Sequence, residues 1–349
     1  MLEIFQKKLL ANLHISLIIY IFALHTNNNF TAMTIFNFTQ EFPDENACIS
    51  HFKSQREQNG VVCCKCGNKT HYWLRNKLSY ECKRCHSRQS LRAGTVLEHT
   101  KLPFRYWYVA MHLLTSTKKS FSSTELQRQL GHKRYQPIWE LANKLRDVMG
   151  KRDSIYQLRD QVELDNAFIT TLIPDNRKDE PLKRGAGSQK KSKVVVMTES
   201  AFVEAPGKNK KLKRVNHIKM QIANDMKADT ITEIVKKQVD SQAAITSDDS
   251  TSYTNLKQIV KSHDAQVVKT EDLPKILPWV HIAIGNVKRL LLDTHYQLKK
   301  EYLQYYLNEF CYKFNRRYFG EKLFDRLVMV AVQYPTDFKS RVYNRSLCG

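Results

Sequence analysis

The chain has 349 residues, 42% of them hydrophobic and 26% charged, which is enough apolar content for cores in two or three domains and excludes a disordered or collagen-like polypeptide. Lysine and arginine outnumber aspartate and glutamate by 56 to 34, a formal net charge of +22, as expected of a protein that neutralises phosphates. Nucleic acid is therefore the leading partner, with an inert basic surface or attraction to an anionic membrane as the alternatives that charge alone leaves open.

At the N-terminus, Leu9 to Leu24 is apolar and follows Lys7 and Lys8, but it is short for a spanning helix and no small-x-small cleavage site follows. From Met33 the stretch MTIFNFTQEFPDENACISHF reads as the start of a folded unit. Residues 1–32 are thus expected to be an extension from an upstream start or a helix laid on the domain, and no stable membrane partner is expected.

The next region, 33–100, contains five of the eight cysteines between Val61 and Cys85. Cys63-x-x-Cys66 and Cys82-x-x-Cys85 are two knuckles at the separation that lets four thiolates close a tetrahedron around one structural Zn²⁺. Gly67 supplies a positive φ after the first knuckle, and Tyr72, Trp73 and Tyr80 supply short strands between them. The expected unit is a zinc ribbon, with Cys64 outside the ligand set because Cys64-x-Cys66 is the wrong spacing. Disulfides or unrelated buried thiols are the alternative. Grouped ligands with Cys48, Cys311 and Cys348 scattered suit a reducing cytosol better than a secreted scaffold.

Residues 101–152 read as a small helical module. Pro103 opens an apolar pattern through Trp107 and Met111 to Leu114, and Ser122-x-x-Glu125 is a capping box for a helix that Gly131 ends. A third helix starts near Pro137, with Ile138, Leu141, Leu145 and Val148 at helical spacing. Joined by a turn carrying His132, Lys133 and Arg134, the last two helices resemble a helix-turn-helix, whose second helix would enter a major groove. A helical connector packed on its neighbours explains the same pattern.

From residue 153 the pattern turns to strands: QVELDNAFIT, SKVVVMTESA and RVNHIKMQIA, then the helix ADTITEIVKKQV and the strands AAITSDD and AQVVK, followed by helices. Three strands, a helix and two further strands are the order of a ribonuclease H-like core, a mixed sheet flanked by helices, so the fold class is multi-domain α/β. The Gly-, Ser- and Lys-rich segment between the first two strands reads as a mobile loop. Asp165 falls at the end of the first strand and Asp248 just after the fourth. Strand-terminal carboxylates on neighbouring strands can converge on two divalent cations and serve in-line phosphoryl displacement.

Taken in order, the knuckles followed by SLRAGTVLE, then SSTELQRQLGHKRYQPIW, VELDNAF, KDEPLKRGAGSQKKSKVVVM, SDDSTSY, WVHIAIGNVKRLLL and YLNEFCYKFNRRY resemble the zinc-ribbon transposases of the IS-fifteen-ninety-five superfamily. The resemblance runs from about Met33 to the region of Arg326. It implies a DDE-type catalytic domain in which Asp165 is the first catalytic residue and Asp248 the second, the latter preferred to Asp249 because the family keeps a tyrosine five positions on, here Tyr253. The third position usually holds Glu with Lys seven residues later. Counting back from Lys288 gives His281, a substitution that resembles one branch of the superfamily. Asp249 replaces a common glycine, and Asp293 to Tyr296 departs from the usual Gly-Thr-Tyr-His. Read from its neighbours alone, His281 is equally a core histidine between Trp279 and Ile282.

The implied protein is a transposase of a bacterial insertion sequence, cytoplasmic and nucleoid-associated, using two Mg²⁺ or Mn²⁺ ions on Asp165, Asp248 and His281, with Lys288 contacting DNA. Its partners would be double-stranded element ends and target, bound as a homo-oligomer. Lys133, Arg134, Lys183, Arg184, Lys190, Lys191, Arg316 and Arg317 are candidate DNA contacts, phosphate-directed in the loop and terminal helix. A non-catalytic DNA-binding regulator, or a decayed copy of the enzyme, is the rival reading, and a protein-binding zinc adaptor is a third.

Overall fold

In a computed structural model of the chain, the residues described are 33–202, 213–267, 276–295 and 298–338. The apolar segment before Met33, Tyr296 and Cys348 lie outside them. Among the described residues no helix is long and apolar enough to cross a membrane.

Two helices precede the ribbon, α1 (Ile35–Glu41) and α2 (Glu45–Asn59), and each has a local reason to begin where it does. The side chains of Thr34 and Asp44 accept the N–H groups of Asn37 and Ala47, satisfying donors that a helix start leaves orphaned. The ribbon itself is a three-stranded antiparallel sheet, β1 (His71–Leu74), β2 (Ser79–Cys82) and β3 (Arg88–Ser90). It docks on α2: the Arg56 guanidinium donates to the Leu91 carbonyl and packs over the Tyr80 ring, while the Lys53 ammonium stands 5.1 Å from the Trp73 ring centroid.

Three helices follow, α3 (Phe104–Ser116), α4 (Ser123–Leu130) and α5 (Tyr135–Asp153). Ser122 caps α4 by accepting the Glu125 N–H, and Gly131 ends it in the left-handed conformation at φ 61°. The start of α3 has no cap of its own. Instead the Glu45 carboxylate, from the first turn of α2, accepts the N–H groups of Phe104 and Arg105 at 2.7 and 2.8 Å. Most of α5 cannot lie in a DNA groove, because every residue from Leu141 to Met149 is buried. Polar residues on its sequence-polar face, Asn143, Lys144 and Arg146, are buried as well, and the exposed residues here are Lys133 to Gln136, in the turn and the first residues of α5.

The second half is built on the sheet β6-β5-β4-β7-β8: β4 (Gln161–Thr170), β5 (Lys191–Phe202), β6 (Lys213–Ala223), β7 (Ala244–Asp248) and β8 (Ser262–Gln266), with α6 (Ala228–Gln238) crossing between β6 and β7. β4, β5 and β6 pair antiparallel, whereas β4–β7 and β7–β8 are parallel. This is the mixed sheet of a ribonuclease H-like core. The final strand starts earlier than the AQVVK stretch suggests, because Ser262 pairs with Ala244, and Val267 beyond it is exposed.

Period-two alternation decides what each face meets. Val162, Leu164, Val195 and Met197 face α6, while Ala167, Ile169, Val194 and Val196 face α7 (Pro278–Thr294) and α8 (Lys300–Asn315). On α7, Val280, Ala283, Ile284, Val287 and Leu291 form the buried stripe, each large aliphatic contributing about 1.5–3 kcal/mol. The last helix, α9 (Lys322–Gln333), returns to the N-terminal core, packing on α2 and α3, and its Ala331 carbonyl accepts the Val96 N–H at 2.9 Å. The two halves are clamped by a fully buried ion pair, Arg146 Nε to Glu309 Oε2 at 2.7 Å, joining α5 to α8.

Candidate metal centre and active site

The two knuckles repeat one backbone pattern. Gly67 N–H donates to the Cys63 carbonyl and His86 N–H to the Cys82 carbonyl, both at 3.0 Å, and both residues take positive φ, 69° and 58°. A histidine thus fills the second left-handed position, which a search for glycine misses. The turns bring Cys63 Sγ to 3.6 Å from Cys85 Sγ and Cys66 Sγ to 3.5 Å from Cys82 Sγ. Tetrahedral zinc with bonds of about 2.3 Å spaces its sulfurs about 3.8 Å apart, so the four thiols fit the ion. Burial opposes ionisation of Cys82, yet the N–H groups of Cys85 and Arg84 and the Asn68 amide outweigh it and bring the thiol down to about 5. Cys64 is exposed and apart from the set.

The second constellation follows from strand alternation. On β4, Glu163 and Asp165 share the face of Ala167 and Ile169, toward α7. Asp165 lies mid-strand and not at the strand end. It is nevertheless the first residue beyond the parallel ladder, whose last pair is Leu164 with Ser247, so the next residue of β7, Asp248, stands beside it. From α7, His281 reaches down to place Nε2 3.7 Å from Asp165 Oδ2.

What aims His281 is Glu163. Leu277 provides no side-chain cap for α7, and the Glu163 carboxylate accepts the N–H groups of Trp279 and Val280 at 2.8 and 2.9 Å. A carboxylate at a helix N-terminus also complements the macrodipole. The next residue along the helix is His281.

Burial pushes the Asp165 carboxyl above the ordinary range and the Asp248 charge adds to it, while the Asn166 N–H, His281 and Lys288 act the other way. Asp248 is raised by burial and by Asp249, against the Ser250 N–H and His281. Beneath them Tyr253 is buried, in a short turn at Thr251–Tyr253. Asp248 Oδ1 and His281 Nε2 are buried with no hydrogen-bond partner, as unsatisfied ligand atoms would be. Two carboxylates and an imidazole fit a divalent cation by donor type. Their atoms are spread more widely than the thiols: among the described residues, the four cysteines are the one group of three or more possible ligands meeting within 4.8 Å. Two ions about 3.5–4 Å apart call for such a spread. Lys288 is exposed on α7, two turns beyond His281.

The remaining basic candidates divide. Lys133, Arg134, Lys183, Arg184, Lys190 and Lys191 are exposed. The loop bearing four of them is braced, since the buried Gln189 accepts the Lys183 N–H at 3.0 Å and donates to the Pro181 carbonyl at 2.7 Å. Arg316 is not a phosphate contact. It is buried, with its guanidinium 2.6 Å from Asp153, because the end of α8 packs into the junction between the two halves. Arg317 is likewise committed, donating to the Val215, Asn216 and Phe314 carbonyls between the Phe314 and Tyr318 rings.

The model of the ISXO2-like transposase domain matches residues 157–315. A solved structure, "Crystal structure of a pre-cleavage Mos1 transpososome", aligns over 67% of this chain and 80% of that chain, at 13% identity and a TM-score of 0.25. No curated protein matches. The matched span holds β4 to β8, α6, α7 and α8, and with them Asp165, Asp248 and His281, so it is this part of the chain that is similar to the ISXO2-like transposase domain.

Proposed function

We propose that the protein binds the ends of an insertion sequence and catalyses DNA strand cleavage and strand transfer there, in the cytoplasm of a bacterium and as a homo-oligomer on DNA. The observation that carries this reading is the convergence of Asp165, from β4, and His281, from the first turn of α7, at 3.7 Å beside Asp248. Asp165, Asp248 and His281 would hold two Mg²⁺ or Mn²⁺ ions. When bound, these supply an activated water and charge stabilisation for the attacking and leaving oxygens of an in-line displacement.

The chain's own residues do the rest. Asp165 and Asp248 must be ionised to serve as ligands, and burial makes their unligated charge costly, so the site favours cations. Glu163 holds the start of α7 and thereby the imidazole. Lys288 meets a phosphate of the end being cut, and Tyr253 closes the floor to water. Hydrolysis at the element end leaves a 3′-hydroxyl, whose oxygen then bonds to a target phosphorus as the target's own 3′-oxygen leaves. The zinc ribbon and the basic turn at Lys133 and Arg134 provide recognition of the ends, with Lys183, Arg184, Lys190 and Lys191 on phosphates.

The test uses duplexes taken from the DNA flanking the coding sequence, incubated with Mg²⁺ or Mn²⁺. Site-dependent nicking by the wild type and none by Asp165→Asn or Asp248→Asn, with binding retained in all three, is the expected result. Binding without cleavage by the wild type would leave a DNA-binding regulator.

A further inference from the structure

Next to Lys288 the fold opens a cavity of about 1380 Å³, walled by the end of β4 with the loop after it, by the last turns of α7 and by the start of α8. Its lining is of two kinds. Ile169, Leu291 and Leu298 form a buried apolar floor, 4 to 6% exposed. Lys178, Lys190, Lys288, Lys299 and Lys300 stand along it, against the acids Asp175 and Glu301, and Asp175 is already paired with Lys178 at 2.6 Å. The balance is strongly positive around an apolar trough.

Two large aliphatic side chains in this lining are also open to solvent, Leu292 at 76% and Leu172 at 37%. Leu292 lies one turn beyond Lys288 on α7, outside the buried stripe of that helix. Burial lowers His295 to about 4, so this lining residue presents an uncharged ring near neutral pH.

Duplex DNA offers a protein its phosphates and groove edges, and its base faces are stacked inside. A trough with apolar floor and basic margin complements a strand whose bases are unstacked: bases lie on the apolar surface and phosphates meet the ammonium groups. An exposed leucine at such a margin also suits the wedge that props open a base step. From His281 to Leu292 along α7 is about 16 Å, so a strand leaving the site enters the trough within a few nucleotides.

We propose that this cavity binds an unpaired segment of the DNA strand running from the active site, with Leu292 packing against its bases and Lys299 and Lys300 against its phosphates. The proposal rests on the transposase reading for its location beside the cut, and its binding test does not require cleavage.

The experiment measures fluorescence anisotropy of a labelled oligothymidylate and of a labelled duplex, without divalent metal, for the wild-type full chain, Leu292→Ser and Lys299→Ala/Lys300→Ala. Because Leu292 is exposed, its replacement leaves folding intact, and an unchanged thermal transition checks this. Oligothymidylate binding should weaken roughly five- to tenfold in Leu292→Ser, the size of one lost base contact, with duplex binding within about twofold. The lysine variant should also flatten the salt dependence of strand binding. Equal weakening of both DNAs, no weakening, or lost self-association in place of strand binding would overturn the proposal. Failure of the wild type to cut flanking DNA would instead remove the transposase reading while leaving the strand site standing.

Discussion

Glu163 and Val280, 117 residues apart in sequence, are joined by a hydrogen bond of 2.9 Å from the Val280 N–H to the Glu163 carboxylate, which also accepts the Trp279 N–H at 2.8 Å. The strand that bears Asp165 therefore fixes the start of the helix that bears His281, and the two sides of the candidate site are tied by one half-buried carboxylate. Glu163→Ala leaves two N–H groups of α7 without an acceptor, about 1–2 kcal/mol of capping, and frees the first turn to shift. Cleavage should fall at least about tenfold and the Mn²⁺ concentration for half-maximal rate should rise, with DNA affinity unchanged. Glu163→Gln, which keeps an acceptor oxygen, should recover most of the rate. Equal activity of Glu163→Ala and wild type across a Mn²⁺ titration would show that the cap does not position the site.

The ribbon shares its core residues Tyr80 and Leu91 with α2 and α3, so a zinc ion on the four cysteines would support more than the knuckles. One zinc per chain is expected, lost in Cys82→Ser or Cys85→Ser and kept in Cys64→Ser and Cys348→Ser. Chelation should lower the first thermal transition and weaken DNA binding before it affects the sheet domain. Metal analysis finding no zinc in the wild type would refute the assignment.

What was legible in the sequence is what depends on near neighbours. The strand QVELDNAFIT, the Ser122 cap with Gly131 as its stop, and the cluster of four cysteines are each fixed within a few residues or by one repeated spacing. The caps from Glu45 to α3 and from Glu163 to α7 span 59 and 116 residues, and nothing local to either helix announces them. The same distance effect misdirected the basic residues: Arg316 and Arg317 look alike on paper, and only the fold brings Asp153 to one and three carbonyls to the other. Glu163 did leave a trace, an acid two residues before Asp165 on the same strand face, but a strand pattern alone does not say what lies above that face.

That difference between arginines gives a paired test. Arg316→Ala strips the partner from a buried Asp153 and should cost about 3–5 kcal/mol in urea denaturation, while leaving the slope of DNA affinity against salt unchanged. Replacing Lys183, Arg184, Lys190 and Lys191 together with Ala should do the reverse, weakening binding to any sequence and flattening the slope at nearly unaltered stability. A quadruple variant with the wild-type slope would make the loop a solvated surface.

The raised carboxyls carry a pH signature. For Asp165 and Asp248 the folded state holds the proton more tightly than the unfolded chain, so their ionisation destabilises the metal-free protein, and the penalty disappears as pH falls through the raised values toward the ordinary carboxylate range. Asp165→Asn should accordingly melt higher than wild type at pH 7, by about 1–3 °C, with the gap closing in acid. Adding Mn²⁺ should raise the wild-type transition and leave that of Asp165→Asn nearly still. A variant that melts lower at pH 7 would mean that the carboxylate is held by favourable contacts in the absence of metal.

On the proposed reading, His281 would set the metal preference. Its imidazole offers a neutral nitrogen, whereas Mg²⁺ favours hard oxygen donors, so two aspartates and one histidine should hold Mg²⁺ less firmly than three carboxylates would. Mn²⁺ should therefore support faster cleavage than Mg²⁺ in the wild type. His281→Glu places a carboxylate on the same turn of α7, still fixed by Glu163, and should retain activity or shift the preference toward Mg²⁺. His281→Ala should be nearly as damaging as Asp165→Asn, and Lys288→Ala should impair handling of the cleaved end more than metal dependence. His281 Nε2 is buried without a hydrogen-bond partner and faces Asp165 at 3.7 Å, which supports its reading as a ligand. If His281→Ala cuts DNA at the wild-type rate with both metals, the third ligand belongs to another residue and His281 serves only the core.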